Sequence, residues 1–157
     1  MANDRHTSYS AEALPKLMTF RLSRLQARAN AQAARILMKH AGISLSEWRI
    51  FVIIETNGKI APAEIVRLTQ FDKGLVSRTI KKLHENGMVR IENSESDHRS
   101  HLIDFTPQGF ALFERARPIM RRRQKLFRDA LEPEELEVLF RAFDKLDLAL
   151  DDMEDKL

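Results

Sequence analysis

Between Asp72 and Leu83 the chain interleaves groups that seek anions with groups that seek a core. Lys73, Arg78, Lys81 and Lys82 supply cations and Ser77 a short hydroxyl, while Val76, Ile80 and Leu83 recur at helical spacing. Wound as a helix, the segment packs one face inward and turns the other to a partner. The chemistry is recognition rather than bond-making. The major groove of B-DNA, about 12 Å wide, admits one such helix. Arg78 can give two hydrogen bonds to a guanine or clamp a phosphate, whereas Lys81 and Lys82, further along, suit phosphates. Near the start, Gly74 lets the backbone come close and Leu75 can touch a thymine methyl. Alone, this pattern is better read as an ordinary amphipathic helix with solvated bases; its neighbours in the sequence decide for DNA.

The second group is Asp97-His98-Arg99, in a polar stretch between two short apolar runs. Arg99 suits the minor groove, whose negative potential attracts guanidinium groups. Asp97 can accept from it and hold it straight, and His98 suits a phosphate. In isolation such a triplet is a polar turn with a local ion pair, worth about 0–1 kcal/mol.

The elements that must carry these groups can be read from periodicity. Residues 1–10 read as a loose arm. A long helix is expected from about Ala11 to His40, with Leu14, Met18, Leu22, Leu25, Ala29, Ala33, Ile36 and Leu37 on one face, Pro15 near its start and Gly42 as its stop. Ser44 and Ser46 are candidate caps for a nearly apolar helix over Leu45–Thr56. Lys59-Ile60-Ala61 is a short extended link. Pro62 opens a helix to about Leu68, Thr69-Gln70-Phe71 forms the turn, and a helix from Asp72 to Asn86 stops at Gly87. Met88–Glu92 and His101–Phe105 alternate as the strands of a hairpin. Thr106-Pro107 then starts a helix to about Ala130, and Glu132-Pro133-Glu134-Glu135 starts the last one. The fold class is mainly α: about six helices plus a small β-hairpin wing, a winged helix-turn-helix over residues 43–106. Residues 11–42 and 107–157 are expected to form a helical dimerisation domain, because the terminal helices carry more apolar stripe than one small winged unit can cover.

Composition narrows the function classes. The chain has 157 residues, 43% hydrophobic and 31% charged, which suits a globular protein. No run of about 18 apolar residues is present, so no membrane span is expected. Cysteine is absent, which excludes disulfides, thiolate chemistry and thiol oxidation sensing and makes a cytoplasmic location the default. His98 and His101 are three apart in a hairpin, not a helical ligand pair, and no metal site or cofactor is expected. No Gly-rich phosphate loop, nucleophile elbow or zinc-protease motif occurs, so the chain is not read as an enzyme. The formal charge of +3 is unevenly spread: Arg115, Arg117, Arg121, Arg122, Arg123, Lys125 and Arg128 form a run without an acid, and the acids from Asp129 onward far outnumber the bases. Three fates are open to that run: solvated surface, flanking DNA, or pairing with the acidic last helix. Pairing combined with solvation is favoured, since the opposite blocks adjoin.

Leu45–Phe51, Lys73–Val89 and Asp97-His98-Arg99 leading to Phe105-Thr106-Pro107-Gln108-Gly109 together resemble the MarR family of bacterial regulators. The resemblance runs from about Ala11 to Met153. It implies a homodimer of winged helix-turn-helix protomers on a palindromic operator in double-stranded DNA, usually a repressor released by a small ligand. Small aromatic or phenolic acids often sit between the dimerisation helices and the winged unit in such proteins. By segment, Met18, Phe20, Arg21, Trp48 and Arg49 are the wall residues here, although a lone Trp on an apolar helix is more often core. Gly74-Leu75 stands where the family often has a Ser/Thr pair, and Phe105 where Leu is usual. The rival reading is a winged-helix protein-interaction module without DNA specificity.

Overall fold

The computed structural model describes residues 14–93 and 101–154. Six helices and a two-stranded hairpin follow in the expected order: α1 (Met18–Ala41), α2 (Leu45–Asn57), α3 (Pro62–Thr69), α4 (Lys73–Glu85), β1 (Val89–Asn93), β2 (His101–Phe105), α5 (Pro107–Arg128) and α6 (Pro133–Glu154). The chain divides into two compact units at Ala116/Arg117.

One expectation fails at the start. The first helix is not continuous: Leu14–Lys16 forms a single 3-10 turn, and Leu17 is extended at ψ 123° before α1 begins. Pro15 has no N–H to give and a fixed φ, so it suits a short turn better than the interior of a long helix. Leu17 then acts as the cap of α1.

In the first unit, α2 is the central helix. Ser44 and Glu47 close a reciprocal cap on it: the Glu47 N–H donates to Ser44 Oγ at 3.2 Å, and the Ser44 N–H donates to Glu47 Oε2 at 2.6 Å. Ile50, Phe51 and Ile54 of α2 are buried, together with Leu37 of α1, Ile65 of α3, Val76, Ile80 and Leu83 of α4, Val89 and Ile103. The hairpin is antiparallel, with Val89 opposite Phe105 and Asn93 opposite His101. Ile60 adds one bridge, exchanging both backbone hydrogen bonds with Ile103, so the extended link at Lys59–Ala61 is a third, one-residue partner of the wing.

The start of α5 is locked to the end of α4. Thr106 donates its N–H and its hydroxyl to the Met88 carbonyl, and the hydroxyl also reaches the Gly87 carbonyl at 2.6 Å and accepts from Gly109 N at 3.0 Å. Gly109 is buried here, and a Cβ on it would lie 1.8 Å from the Met88 carbonyl oxygen. Around this corner Phe105 meets Phe51, Phe110 and Phe113, with ring centroids 5.2–5.8 Å apart.

The second unit holds the rest of α5 and α6. The Glu132 N–H donates to Glu135 Oε2 at 3.0 Å, which caps α6. A cleft of about 500 Å³ is lined by Arg121, Lys125, Arg128, Leu131 and Leu136, among others. Val138, Leu139, Phe140, Phe143, Leu148, Leu150 and Met153 of α6 all remain exposed. Among the described residues, no helix is long and apolar enough to cross a membrane.

Candidate nucleic-acid interface

The helix-turn-helix is α3, a three-residue corner (Gln70, Phe71 and Asp72) and α4. Gln70 ends α3 in the left-handed region (φ 53°), its side-chain amide donating to the Arg67 carbonyl. Thr69 Oγ1 donates back to Ile65 O and accepts from the Phe71 N–H. Asp72 then caps α4, its carboxylate accepting from Leu75 N at 2.9 Å. These short-range bonds turn the chain tightly between two helices whose inner faces share a core.

α4 divides its residues as its sequence requires. Val76, Thr79, Ile80 and Leu83 are buried, with the Thr79 hydroxyl spent on the Leu75 carbonyl. Lys73, Ser77, Arg78, Lys81 and Lys82 are exposed, while Gly74 and Leu75 at the tip are half-buried. The bases differ in their partners. Lys82 Nζ lies 3.1 Å from Glu47 Oε1, whereas Lys81 faces Glu85 at 3.8 Å across one helical turn. Glu47 itself is almost fully buried. Burial pushes its carboxyl up, but hydrogen bonds from Ser44 and the Lys82 ammonium outweigh this and hold it below the ordinary carboxylate value. The cap of α2 and the outer face of α4 therefore meet on one carboxylate; Ser44-x-x-Glu47 announces the cap in sequence, but not the contact with Lys82.

The wing rises beside α4. Arg90 pairs with its cross-strand partner Asp104 and with Glu92, which also takes Lys59. At the upper end of the stem His101 Nδ1 lies 3.1 Å from Asn93 Oδ1. The expected tip contacts, Asp97, His98 and Arg99, lie outside the described residues.

The described residues expected along a ligand wall have several different neighbours. Arg21 and Phe20 line a groove of about 360 Å³ with Pro15, Arg24, Leu25 and Arg28. Met18 is exposed and does not line that groove. Trp48 is half-buried and stacks on Phe113, with centroids 5.2 Å apart and rings 19° from parallel. Arg49 donates to Asn30 Oδ1 at 2.8 Å and stands over the Phe71 ring. In the basic run, Arg115 donates to the Ala41 carbonyl at the end of α1, Arg123 stands over Phe127 and Lys125 pairs with Asp129. Among the described residues, no group of three or more His, Asp or Glu side chains converges as a metal site.

Comparison with known proteins places this geometry. Residues 41–100 match the model of the MarR family. An uncharacterized HTH-type transcriptional regulator of Staphylococcus aureus (strain Mu50 / ATCC 700699), SAV2265, is 33% identical over 82 residues, which is 52% of this chain and 56% of that protein. The match thus spans about half the length of that relative. A MarR/EmrR family transcriptional regulator from Acinetobacter sp. ADP1 superposes with a TM-score of 0.79 at 27% identity, covering 85% of this chain and 94% of the other. A mutant of MarR from E. coli, complexed with operator DNA, shares the fold at 21% identity, with a TM-score of 0.70 over 88% of this chain and 98% of the other. The matched residues hold α2, the helix-turn-helix and the first strand of the hairpin, and over them this chain is similar to the MarR family.

Proposed function

We propose that this chain is a sequence-specific DNA-binding transcriptional regulator, acting as a homodimer on a palindromic operator. The observation that carries the reading is the two-sidedness of α4. Its buried edge is anchored by Val76, Ile80 and Leu83, while Lys73, Ser77, Arg78 and Lys81 stand exposed. A helix held this way can enter a major groove tip first, with Arg78 toward base edges and the lysines toward phosphates. Asp97, His98 and Arg99 are assigned to the neighbouring minor groove and backbone on sequence grounds.

The dimer is supported by α6, whose large apolar side chains have no cover within their own unit. Residues 11–42 and 107–157 are assigned to that role, and two reading helices would then meet half-sites about one helical turn apart. Repression relieved by a small aromatic or phenolic ligand completes the reading. The groove that sets Phe20 beside Arg21 offers such a molecule an aromatic face and a cation.

Selection of duplex DNA by the purified full chain, followed by titration at several salt concentrations, tests the proposal. A selected palindrome, bound with affinity that falls steeply as salt rises, is the expected result. Failure to bind any duplex at low ionic strength, or binding of a protein partner with little salt dependence, would replace it with the interaction-module reading.

A further inference from the structure

We propose that Arg49 is a positioning residue for DNA reading: it moors the corner in front of α4 to helix α1 without touching DNA itself. The inference rests on the DNA-binding reading above. Its geometry is independent of that reading.

Three half-buried residues from three elements meet at this point. Asn30 belongs to α1, Arg49 to α2, and Phe71 to the corner between α3 and α4. Arg49 Nη2 donates to Asn30 Oδ1 at 2.8 Å, and its guanidinium carbon stands 4.9 Å from the centre of the Phe71 ring. A cation over an aromatic face is held more firmly where water is partly excluded, and a planar guanidinium can stack and donate in its plane at once. Burial lowers the Arg49 pKa, so the site bears a desolvation cost that a leucine of similar reach would not incur. The hydrogen bond to Asn30 and the Phe71 ring act against that cost.

Phe71 is the residue immediately before Asp72, whose carboxylate holds the first turn of α4 through Leu75 N. It follows Gln70, the non-glycine residue with positive φ among the described residues. The backbone at this corner is therefore set by a few local bonds, and Phe71 is its outward handle. Fixing the ring fixes the direction in which Asp72 launches α4, and through Asn30 that direction is referred to α1. Lys82–Glu47 constrains the far end of the same helix. Arg49 at the tip and Glu47 near the tail, two residues apart on α2, thus hold α4 at both ends.

The test uses the full chain and the duplex it selects. Arg49→Met is expected to lower specific affinity about tenfold, the order of a lost cation–π contact plus a charge-assisted hydrogen bond. The slope of affinity against salt should stay at the wild-type value, because no phosphate contact is lost. Arg49→Lys, which keeps a cation and a donor, should recover most of the loss, and Arg49→Met with Phe71→Leu should be no worse than either alone. Asn30→Ala, which removes only the α1 end of the mooring, should reproduce part of the loss if Arg49→Met folds poorly. Independently of DNA, Arg49→Met should speed hydrogen exchange at the Leu75 amide. Wild-type affinity in Arg49→Met, a loss accompanied by a shallower salt slope, additive double-mutant effects, or unchanged Leu75 exchange would each overturn the assignment. If the wild-type chain binds no duplex, the DNA reading falls, and the exchange measurement alone still decides whether Arg49 positions α4.

Discussion

Arg78 and Gly74 share one space. Arg78 Nη1 lies 3.0 Å from where a Cβ on Gly74 would stand, and Asp72 Oδ1 lies 2.9 Å from the same point. No backbone demand explains the glycine, since Gly74 is not among the positive-φ residues, and glycine in a helix costs up to about 1 kcal/mol relative to alanine. What its small size allows is a guanidinium folded back over the first turn, beside the capping carboxylate. Gly74→Ala should therefore displace Arg78 and alter the preferred duplex sequence, with little net change in stability because the gain in helix propensity is set against a loosened Asp72 cap. Arg78→Ala should weaken specific binding by about 1–3 kcal/mol. In the Arg78→Ala background, Gly74→Ala should have little further effect on selected sequences; equal effects in both backgrounds would separate the two residues.

Gly109 should tolerate no side chain. The Met88 carbonyl that a Cβ would strike is already held by the Thr106 N–H and hydroxyl, so it has no easy way to yield. Gly109→Ala is expected to cost about 3 kcal/mol, at the upper end of overpacking penalties. A urea midpoint equal to wild type would show that the corner gives way.

The Glu47 carboxylate makes stability depend on acid in a defined direction. Its folded pKa lies below the ordinary carboxylate value, so its contribution is fully present above about pH 4.3 and is lost as pH falls through the folded value. Glu47→Gln should be destabilised relative to wild type at neutral pH, and the gap should narrow steadily below about pH 4. Denaturation midpoints at several pH values would show it, and a gap that widens toward acid would refute the sign.

Lys81 and Lys82 should separate in DNA titrations although they are neighbours in sequence. Lys82 is engaged by Glu47 and Lys81 has only a loose surface partner. Lys81→Ala should reduce the salt slope by about 1, as expected for one lost phosphate contact. Lys82→Ala should act mainly by freeing Glu47, lowering stability with a smaller change in slope; equal slope changes would place both lysines on phosphates.

A charge on the open face of α6 should dissociate the proposed dimer. Phe140 is half exposed and stands in a row with Leu136 and Phe143. Phe140→Glu is expected to raise the dimer dissociation constant at least about tenfold, the equivalent of roughly 1.4 kcal/mol. Sedimentation across a micromolar concentration series would show the shift, and a wild-type chain that sediments as a folded monomer would remove the premise.

Much of this was legible in sequence because local rules and burial agree. The 3.6-residue recurrence of Val76, Ile80 and Leu83 places α4, and alternation places Val89–Asn93 and His101–Phe105 to within a residue. Ser44 was recognisable as a cap, and Thr106-Pro107 as a helix start. The break at Leu17 was not, since an apolar stripe runs across it and only Pro15 hints at it. Contacts between distant residues were also hidden. Asn30–Arg49, Glu47–Lys82 and Arg115–Ala41 join positions whose proximity depends on how helices pack, and spacing along the chain carries no record of that. Trp48 and Arg49 read as one wall because they are adjacent in sequence, but successive residues of a helix point about 100° apart. One therefore reaches Phe113 and the other Phe71.

The Thr106 corner has a kinetic consequence. One hydroxyl joins the end of α4, the base of the returning strand and the first turn of α5, and Ile103 binds Ile60 from the other side. The base of the wing stem therefore cannot open without exposing the backbone groups of the rest of the corner. Its amides and those of Gly109 should exchange with solvent in a single cooperative event, at a rate governed by unfolding of the whole corner.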